Sequence, residues 1–290
     1  MRKTAILLLL LLAATAAFAD TYSDTYVIPI VGHTNGAGGT KWMSDLAIRN
    51  LGNSPMTVQL VLIESGNDYA DNIGPLITDD IDGSVTVPAN GAVLLTDILG
   101  GHDPENIAGA LIVGSDRPFA VTSRAYNDHL PLGQTVPATS DFFTNSTGTI
   151  DNAAVVYIPG IMHNARTRTN VGFAAGSGGS LSTPMVVAVT IRNAAGEIVG
   201  TRSFFIPQGN FAHYQFNIGS IIGGNTFDVG TAELRITQGE GTIVPYASLV
   251  DNTTSEAAYI MGQFPDSTPL AAKAFRPFNL FRQLLDRQLR

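Results

Sequence analysis

The feature that most limits how this chain can fold is a repeated pair of strand-like segments. The stretch from Gly230 to Asn252, GTAELRITQGEGTIVPYASLVDN, has a relative at Gly109 to Asp128, GALIVGSDRPFAVTSRAYND. In the second copy Ala232, Leu234 and Ile236 alternate with polar residues, which is the period of a strand with one buried face. We expect each stretch to form a hairpin, and a hairpin needs a second sheet over its apolar face. The sequence therefore predicts layered β-sheets.

Five further matches occur in the same order in the two halves of the chain. They are Ile28-Pro29 with His33 against Ile158-Pro159 with His163, Trp42 to Asn50 against Thr167 to Ala175, Pro55 to Val58 against Pro184 to Val187, Ser84 to Pro88 against Ser203 to Pro207, and Ile98 to Gly101 against Ile221 to Gly224. Matches kept in register predict an internal duplication, with units of about 110 residues and about seven short strands each. We predict an all-β chain of two tandem immunoglobulin-like β-sandwich domains, followed by a short C-terminal amphipathic helix.

The start of the chain has the pattern of a secretory signal peptide. Arg2 and Lys3 precede an apolar run, and Ala17-Phe18-Ala19 forms an A-x-A cleavage site before Asp20. The run is short for a membrane anchor, and no later segment is apolar for long enough to span a bilayer. We predict a signal peptide over residues 1–19, sandwiches over 20–138 and 154–266, a linker over 139–153 and a basic tail over 267–290. The protein is expected to be secreted, to a periplasmic, cell-surface or extracellular location.

Composition narrows the class of protein further. The chain contains no cysteine, so an exported domain of this sequence must be stabilised by its apolar core and not by disulfides. Removing residues 1–19 leaves 14 basic and 24 acidic residues, a net charge of −10. Because nucleic-acid binding requires a basic face, this charge argues against a nucleic-acid partner.

Several motifs resemble those of a known group of proteins. These are WMSDLAIRNLG, SRAYND followed by LGQTVPA, RTNVGF and YASLVDNTT, and they extend from Val27 to Gln263. The chain is similar to uncharacterised secreted bacterial proteins with tandem β-sandwich units, which usually carry a Thr-Asp pair where this sequence has Ser44-Asp45. The resemblance implies an exported structural or recognition role. It brings no catalytic residues.

The search for catalytic motifs points away from the common enzyme families. The sequence lacks the G-x-S-x-G, H-E-x-x-H, P-loop and dinucleotide-binding patterns. Its five histidines are scattered, which argues against a zinc site built from close spacing. His33 and His163 occupy equivalent repeat positions, and we interpret them as sharing a role in a loop hydrogen bond. A Ser-His-Asp triad assembled from distant residues would leave no local pattern.

One acidic stretch has two interpretations. Glu64, Asp68, Asp71, Asp79, Asp80 and Asp82 follow one another without an intervening Lys or Arg. Calcium takes six to eight oxygen ligands, and Asp79, Asp80 and Asp82 are candidate ligands, although the spacing is not that of an EF-hand. The other interpretation is a solvated loop, with no cofactor bound.

The C-terminal segment departs from the β pattern. Phe278, Phe281, Leu285 and Leu289 recur at helical spacing, and the last 20 residues carry a net charge of +4. A basic amphipathic tail on an acidic protein can dock on its own domain, bind a neighbouring copy, or lie on an anionic membrane or envelope surface. The candidate partner-binding residues of this tail are Phe278, Phe281, Arg282, Leu285, Arg287 and Leu289.

Two function classes follow from the sequence. The first is a non-enzymatic exported structural or recognition protein of the cell surface or extracellular matrix, acting in adhesion, assembly or ligand display through its loops. Its partners would be a protein or envelope surface, including another copy of the chain. The second is a secreted hydrolase or carbohydrate-active accessory module, whose site would combine residues far apart in the sequence. With Trp42 as its single tryptophan, the chain has few aromatic platforms for glycans. Because the sequence lacks the common catalytic motifs, we predict that it is not an enzyme.

Overall fold

The computed structural model describes residues 23–36, 39–65, 84–101, 106–128, 130–139, 143–145, 155–177, 184–207 and 211–263. The predicted signal peptide, the candidate calcium ligands and the predicted C-terminal helix lie outside these residues. Within them the regular structure is almost entirely β, and Ile218–Ser220 form a short 3-10 turn.

The strands fall into two sets of eight, joined by one short strand. The first set is β1 Thr25–Asn35, β2 Lys41–Asn50, β3 Met56–Glu64, β4 Ser84–Val87, β5 Ala92–Leu95, β6 Asn106–Ser115, β7 Phe119–Asn127 and β8 Leu130–Val136. After β9, Phe143–Asn145, the second set is β10 Val156–His163, β11 Thr167–Ser177, β12 Met185–Asn193, β13 Ile198–Ile206, β14 Phe211–Asn217, β15 Phe227–Gln238, β16 Gly241–Asp251 and β17 Ala257–Met261.

Both sets pair in the same order. The first repeat contains the strand orders β4-β3-β6-β1 and β5-β2-β7-β8, and the second contains β13-β12-β15-β10 and β14-β11-β16-β17. In the first repeat the two sheets are connected at one corner, where β1 pairs with β2. This pairing is limited to Thr34 with Trp42 and Asn35 with Lys41. The predicted all-β fold of two tandem sandwiches from an internal duplication is confirmed.

Six strands of each repeat occupy the positions of strands B to G in an immunoglobulin sandwich. In the first repeat β1, β6 and β3 are neighbours in the order B-E-D, and β2, β7 and β8 in the order C-F-G. The remaining strands, β4 and β5, extend the outer edges of the two sheets. The second repeat has the same arrangement from β10 to β17.

The predicted hairpins are wrong in their pairing. The two segments of each stretch do form strands, but β6 pairs with β1 and β3, whereas β7 pairs with β2 and β8 in the opposite sheet. The same holds for β15 and β16. Alternation of apolar and polar residues identifies a strand and its buried face, but it does not identify the hydrogen-bonded neighbour. Here the consecutive strands face each other across the core.

Each sandwich has its own apolar core, and Tyr259 of β17 also packs against the core of the first repeat. Ile28 pairs with Leu111 in the first repeat, and Ile158 pairs with Ala232 at the equivalent place in the second. All four residues are fully buried. The second core also contains an aromatic cluster in which the rings of Phe173 and Phe204 meet edge to face, with their centroids 5.2 Å apart.

A third apolar cluster joins the two repeats. It is formed by the outward faces of the β4-β3-β6-β1 sheet and the β14-β11-β16-β17 sheet, so the four sheets make successive layers. Its buried members, which we call the inter-repeat cluster, are Val27, Val61, Ile63, Ala110 and Ile112 from the first repeat and Ala174 and Val244 from the second. Phe211 and Met261 pack against it. The central strands are thus buried on both faces, which explains why residues 60–63 and 110–113 are continuously apolar.

The segment predicted as a linker contributes to this assembly. Thr139 forms an antiparallel bridge with Val27 of the first repeat. A few residues later β9 pairs with the start of β16, with Phe143 opposite Ile243. The connection is therefore attached to a sheet of each repeat.

Substitutions at adjacent residues of β6 measure how much the core of the first repeat and the inter-repeat cluster each contribute to stability. Leu111 is in the core of the first repeat and Ile112 is in the inter-repeat cluster. We expect Leu111→Ala and Ile112→Ala each to lower the free energy of unfolding by about 2–5 kcal/mol, because each leaves a cavity in a buried position. Leu94→Ala, at a side chain that is 63% exposed, should change it by no more than about 0.5 kcal/mol. Urea unfolding followed by Trp42 fluorescence measures all three. An unchanged midpoint for Ile112→Ala would mean that the inter-repeat cluster does not stabilise the protein.

Candidate functional site

A chain of polar side chains, buried at His213 and Tyr246, crosses the contact between the repeats. Ser65 follows β3 and forms a parallel bridge with His213 of β14. The Ser65 hydroxyl shares a hydrogen bond with Nδ1 of His213, and the Tyr246 hydroxyl lies 2.9 Å from Nε2 of the same ring. Tyr246 in turn donates to Oε1 of Gln215 at 2.7 Å. The fold thus assembles a Ser-His-Tyr-Gln network from both repeats.

Packing fixes the position of this network. His213 is 2% exposed and Tyr246 is fully buried, with the two rings stacked at a centroid distance of 5.9 Å. Gly172 lies opposite Tyr246 in β11, and a Cβ atom there would come within 2.6 Å of the tyrosine ring. Glycine at this position therefore makes the space that the Tyr246 side chain occupies.

Burial decides the protonation of the network. It lowers the pKa of His213 from 6.5 to about 3, and the carbonyl of Pro29, which favours the protonated ring, only partly opposes it. Burial also raises the pKa of the Tyr246 hydroxyl well above 10.0. Both groups are uncharged at neutral pH. A histidine with so low a pKa is a weak general base near pH 7.

A second polar cluster lies at one end of the first repeat. Nδ1 of His33 is 2.8 and 3.0 Å from the two carboxylate oxygens of Asp97, whose backbone N–H donates to Oδ1 of Asp45 at 2.9 Å. Arg124 forms an ion pair with the other oxygen of Asp45, and its guanidinium lies over the Tyr126 ring at 4.9 Å. These contacts hold the loop containing Asp97 against β1 and β2.

The acid-base balance of that cluster favours ionised Asp45. Burial raises the pKa of Asp45, but hydrogen bonds from the Asp97 N–H, Arg124 and Tyr126 more than offset it and hold the pKa below 3.8. Burial, together with the negative charge of Asp45, raises the pKa of Tyr126 to about 12. The cluster therefore contains a carboxylate neutralised by an arginine, which is typical of a structural ion pair.

The second repeat keeps part of this arrangement. Oγ of Ser44 accepts from the Gly32 N–H at 2.9 Å, and Oγ1 of Thr169 accepts from the Met162 N–H at 3.1 Å. A hydroxyl thus links the first two strands at the equivalent place in both repeats.

The charged part of the cluster differs between the repeats. Asn170 and Ser248, paired in the second repeat, take the places of Asp45 and Arg124 and carry no charge. Nδ1 of His163 is buried without a hydrogen-bond partner among the described residues. The loop hydrogen bond predicted for both histidines is therefore present at His33 but not at Nδ1 of His163.

The remaining predicted site residues fall elsewhere. Asp79, Asp80 and Asp82 lie outside the described residues, as do the six candidate residues of the tail. In the part of the chain that is described, no group of three or more His, Asp or Glu side chains is placed to hold a metal ion. Ser65 and His213 are 148 residues apart in the sequence, so their contact could not be predicted from spacing.

A concave surface lies on the outer face of the second repeat. It has a volume of about 340 Å³ and is lined by Tyr157, Arg192, Asn193, Ala194, Gly196, Val229, Gly230, Thr231 and Glu233. We call it the outer depression. Nε of Arg192 is 2.8 Å from Oε1 of Glu233, so the charged groups in the depression are paired with each other.

The described residues include no helix long and apolar enough to cross a membrane.

Comparison with known proteins gives no family. No protein-family model matches the chain, and no curated protein matches it. Among solved structures, one of the infectious bursal disease virus Gx strain is 10% identical, covering 93% of this chain and 89% of its own, with a TM-score of 0.23. Bacteroides uniformis β-glucuronidase 2 is 8% identical, covering 78% of this chain and 26% of its own, with a TM-score of 0.19. Similarity this low carries no argument about function.

The low pKa of His213 makes stability depend on pH in a defined direction. The unfolded chain binds a proton at His213 near pH 6.5, whereas the folded chain binds one only near pH 3, so acid favours unfolding between these values. From pH 6.5 down to about pH 4.5 this residue should reduce the free energy of unfolding by about 2 kcal/mol, before most carboxylates titrate.

Urea unfolding across this pH range measures the effect. His213→Gln, which can keep hydrogen bonds to Ser65 and Tyr246, should remove most of the slope. His163→Gln is the matched control and should retain the dependence. Equal slopes for the wild type and His213→Gln would contradict the assignment.

Proposed function

We propose that this chain is a non-enzymatic exported structural or recognition protein of the cell surface or extracellular matrix. Two sandwiches held as one layered unit would present their outer faces and loops for adhesion, assembly or ligand display. The observation that carries the proposal is the inter-repeat cluster, in which side chains of both repeats are fully or almost fully buried. Such a contact favours a fixed spacing between two binding surfaces.

The chemistry of the polar groups supports the same role. His213 is kept neutral by burial, Arg124 neutralises Asp45, and Arg192 pairs with Glu233. Catalytic acids and bases need a pKa near the working pH and a substrate within reach. The groups described here are arranged to hold strands and loops together, which agrees with a structural role.

The alternative is a secreted hydrolase, and the Ser65–His213 hydrogen bond is the observation that would favour it. A fluorophosphonate probe and a panel of chromogenic esters, peptides and glycosides test it directly. We expect no labelling of Ser65 and no turnover, because the depressed pKa of His213 prevents efficient activation of the hydroxyl. Turnover that is lost in Ser65→Ala, with the fold retained by circular dichroism, would replace the structural proposal with the catalytic one.

Binding to the source-cell envelope tests the structural role. We expect the purified exported protein to sediment with isolated envelopes in a saturable manner. If the basic tail anchors it, Arg287→Ser with Leu289→Ser should release it, because both a charge and an apolar contact are lost. Arg166→Ser is the matched control, since Arg166 is a surface cation in the second repeat that pairs with Asp251. Equal release of the wild type and the tail variant would exclude anchoring by the tail. Failure of the wild type to bind envelopes or matrix would contradict the structural role at the surface.

A further inference from the structure

The same sheet has a different environment in the two repeats. The outward face of β4-β3-β6-β1 is covered by the second repeat, whereas the outward face of β13-β12-β15-β10 carries the outer depression. The strand registers match these faces residue by residue. In that order, Val27, Val61, Ile63, Ala110 and Ile112 of the inter-repeat cluster correspond to Tyr157, Thr190, Arg192, Thr231 and Glu233.

The outer depression lies where a sheet docks in the other repeat. Four of the five matched residues line it, all except Thr190. Ala194, which also lines it, occupies the position of Ser65, the residue that contacts His213 of the docked sheet. The depression therefore corresponds to a docking position that the rest of the described chain does not fill.

A matching sheet is present at the opposite end of the protein. The β14-β11-β16-β17 sheet docks through Ala174 and Val244, and the equivalent β5-β2-β7-β8 sheet carries Arg49 and Ala120 at those positions. The position of Gln215 is taken by Leu94, whose side chain is 63% exposed. We call this surface, formed by Ala47, Arg49, Ala92, Leu94, Ala120 and Thr122, the first-repeat outer face.

We infer that the first-repeat outer face of one copy binds the outer depression of another, continuing the contact that joins the repeats within the chain. The contact is head-to-tail, because the two surfaces differ, and it leaves one surface open at each end. A head-to-tail contact that does not close into a ring continues from copy to copy, and we expect open chains. The inference rests on the proposed structural role for its biological purpose, although its test is independent of it.

The residue exchanges suit a contact between separate molecules. The five apolar residues of the covered face are replaced by two threonines, a tyrosine, an arginine and a glutamate, so the open face remains soluble before it meets a partner. Tyrosine and arginine are enriched in such interfaces.

Single substitutions on each surface test the contact. Val229 lines the depression and is 55% exposed, and Leu94 lies on the first-repeat outer face, so an aspartate at either place should leave the fold intact. We expect the wild-type protein to show concentration-dependent association in sedimentation velocity. Val229→Asp and Leu94→Asp should each weaken it at least about tenfold, because Val229 lines the depression and Leu94 is an exposed apolar side chain on the first-repeat outer face, so each aspartate places a charge at the contact.

Phe205→Asp is the matched control. Phe205 is 57% exposed on the same face as the depression, and it pairs with Val186 near the other end of the sheet. The equivalent first-repeat residues, Thr86 and Thr57, stay exposed beside the contact between the repeats. Phe205→Asp should therefore associate like the wild type.

Mixing the two interface variants distinguishes a head-to-tail contact from a symmetric one. Leu94→Asp keeps an intact depression and Val229→Asp keeps an intact first-repeat outer face. A mixture in equal amounts should form one-to-one dimers that do not grow, although neither variant associates alone. The absence of mixed dimers would overturn the head-to-tail geometry.

Three other outcomes would also overturn the inference. One is a wild-type protein that stays monomeric at about 0.5 mM, far above the dissociation constants of specific interfaces of ordinary size. Another is a Phe205→Asp variant that dissociates as much as Val229→Asp. The third is association that begins only after removal of residues 264–290, which would mean that the tail of the same chain covers the depression. A monomeric protein that still binds envelopes would remove this inference and retain the proposed function.

Discussion

The burial of β1, β3 and β6 on both faces is the constraint on which the rest of the structure depends. Along β6, Leu111 points into the core of the first sandwich and Ile112 points into the inter-repeat cluster. A single sandwich would leave the second set of side chains in water, at a cost of about 25 cal/mol for each Å² of apolar surface. The second repeat therefore contributes to the stability of the first by covering this face.

The polar network beside this apolar contact makes it specific. Ser65 and His213 come from different repeats, and docking without this contact would leave the buried Nδ1 of His213 unsatisfied, at a cost of about 1–3 kcal/mol. A shifted docking of the two sheets would break that hydrogen bond while keeping much of the apolar area. The network thus selects one register, and the low pKa of His213 keeps a charge out of the contact.

The duplication can be recognised in the sequence, but the hydrogen-bonded neighbours of each strand cannot. Ile28 and Ile158 reveal the duplication because both must fill equivalent places in a core, and similar environments keep similar residues in order. The partners of a strand lie far away in the sequence, since Ile112 pairs with Val61, 51 positions before it, and Leu111 with Ile28, 83 positions before it. For that reason β6 and β7 resembled a hairpin although they lie in opposite sheets. The same limit hides the Ser65–His213 contact, since neither residue carries a local pattern.

The two repeats keep similar residues where a side chain faces a core, and differ where it faces the outside of a sandwich. Ile28 and Ile158 are the same residue facing equivalent cores, whereas Val27 and Tyr157, one position before them, differ because one face is covered and the other is open. The type of residue at a strand position thus depends on whether its side chain faces a core, the other repeat or the outside, and not on which strand it belongs to. For that reason a duplicated sandwich can keep its topology and still acquire two unlike outer surfaces. An assembly with a direction requires that difference between its two ends.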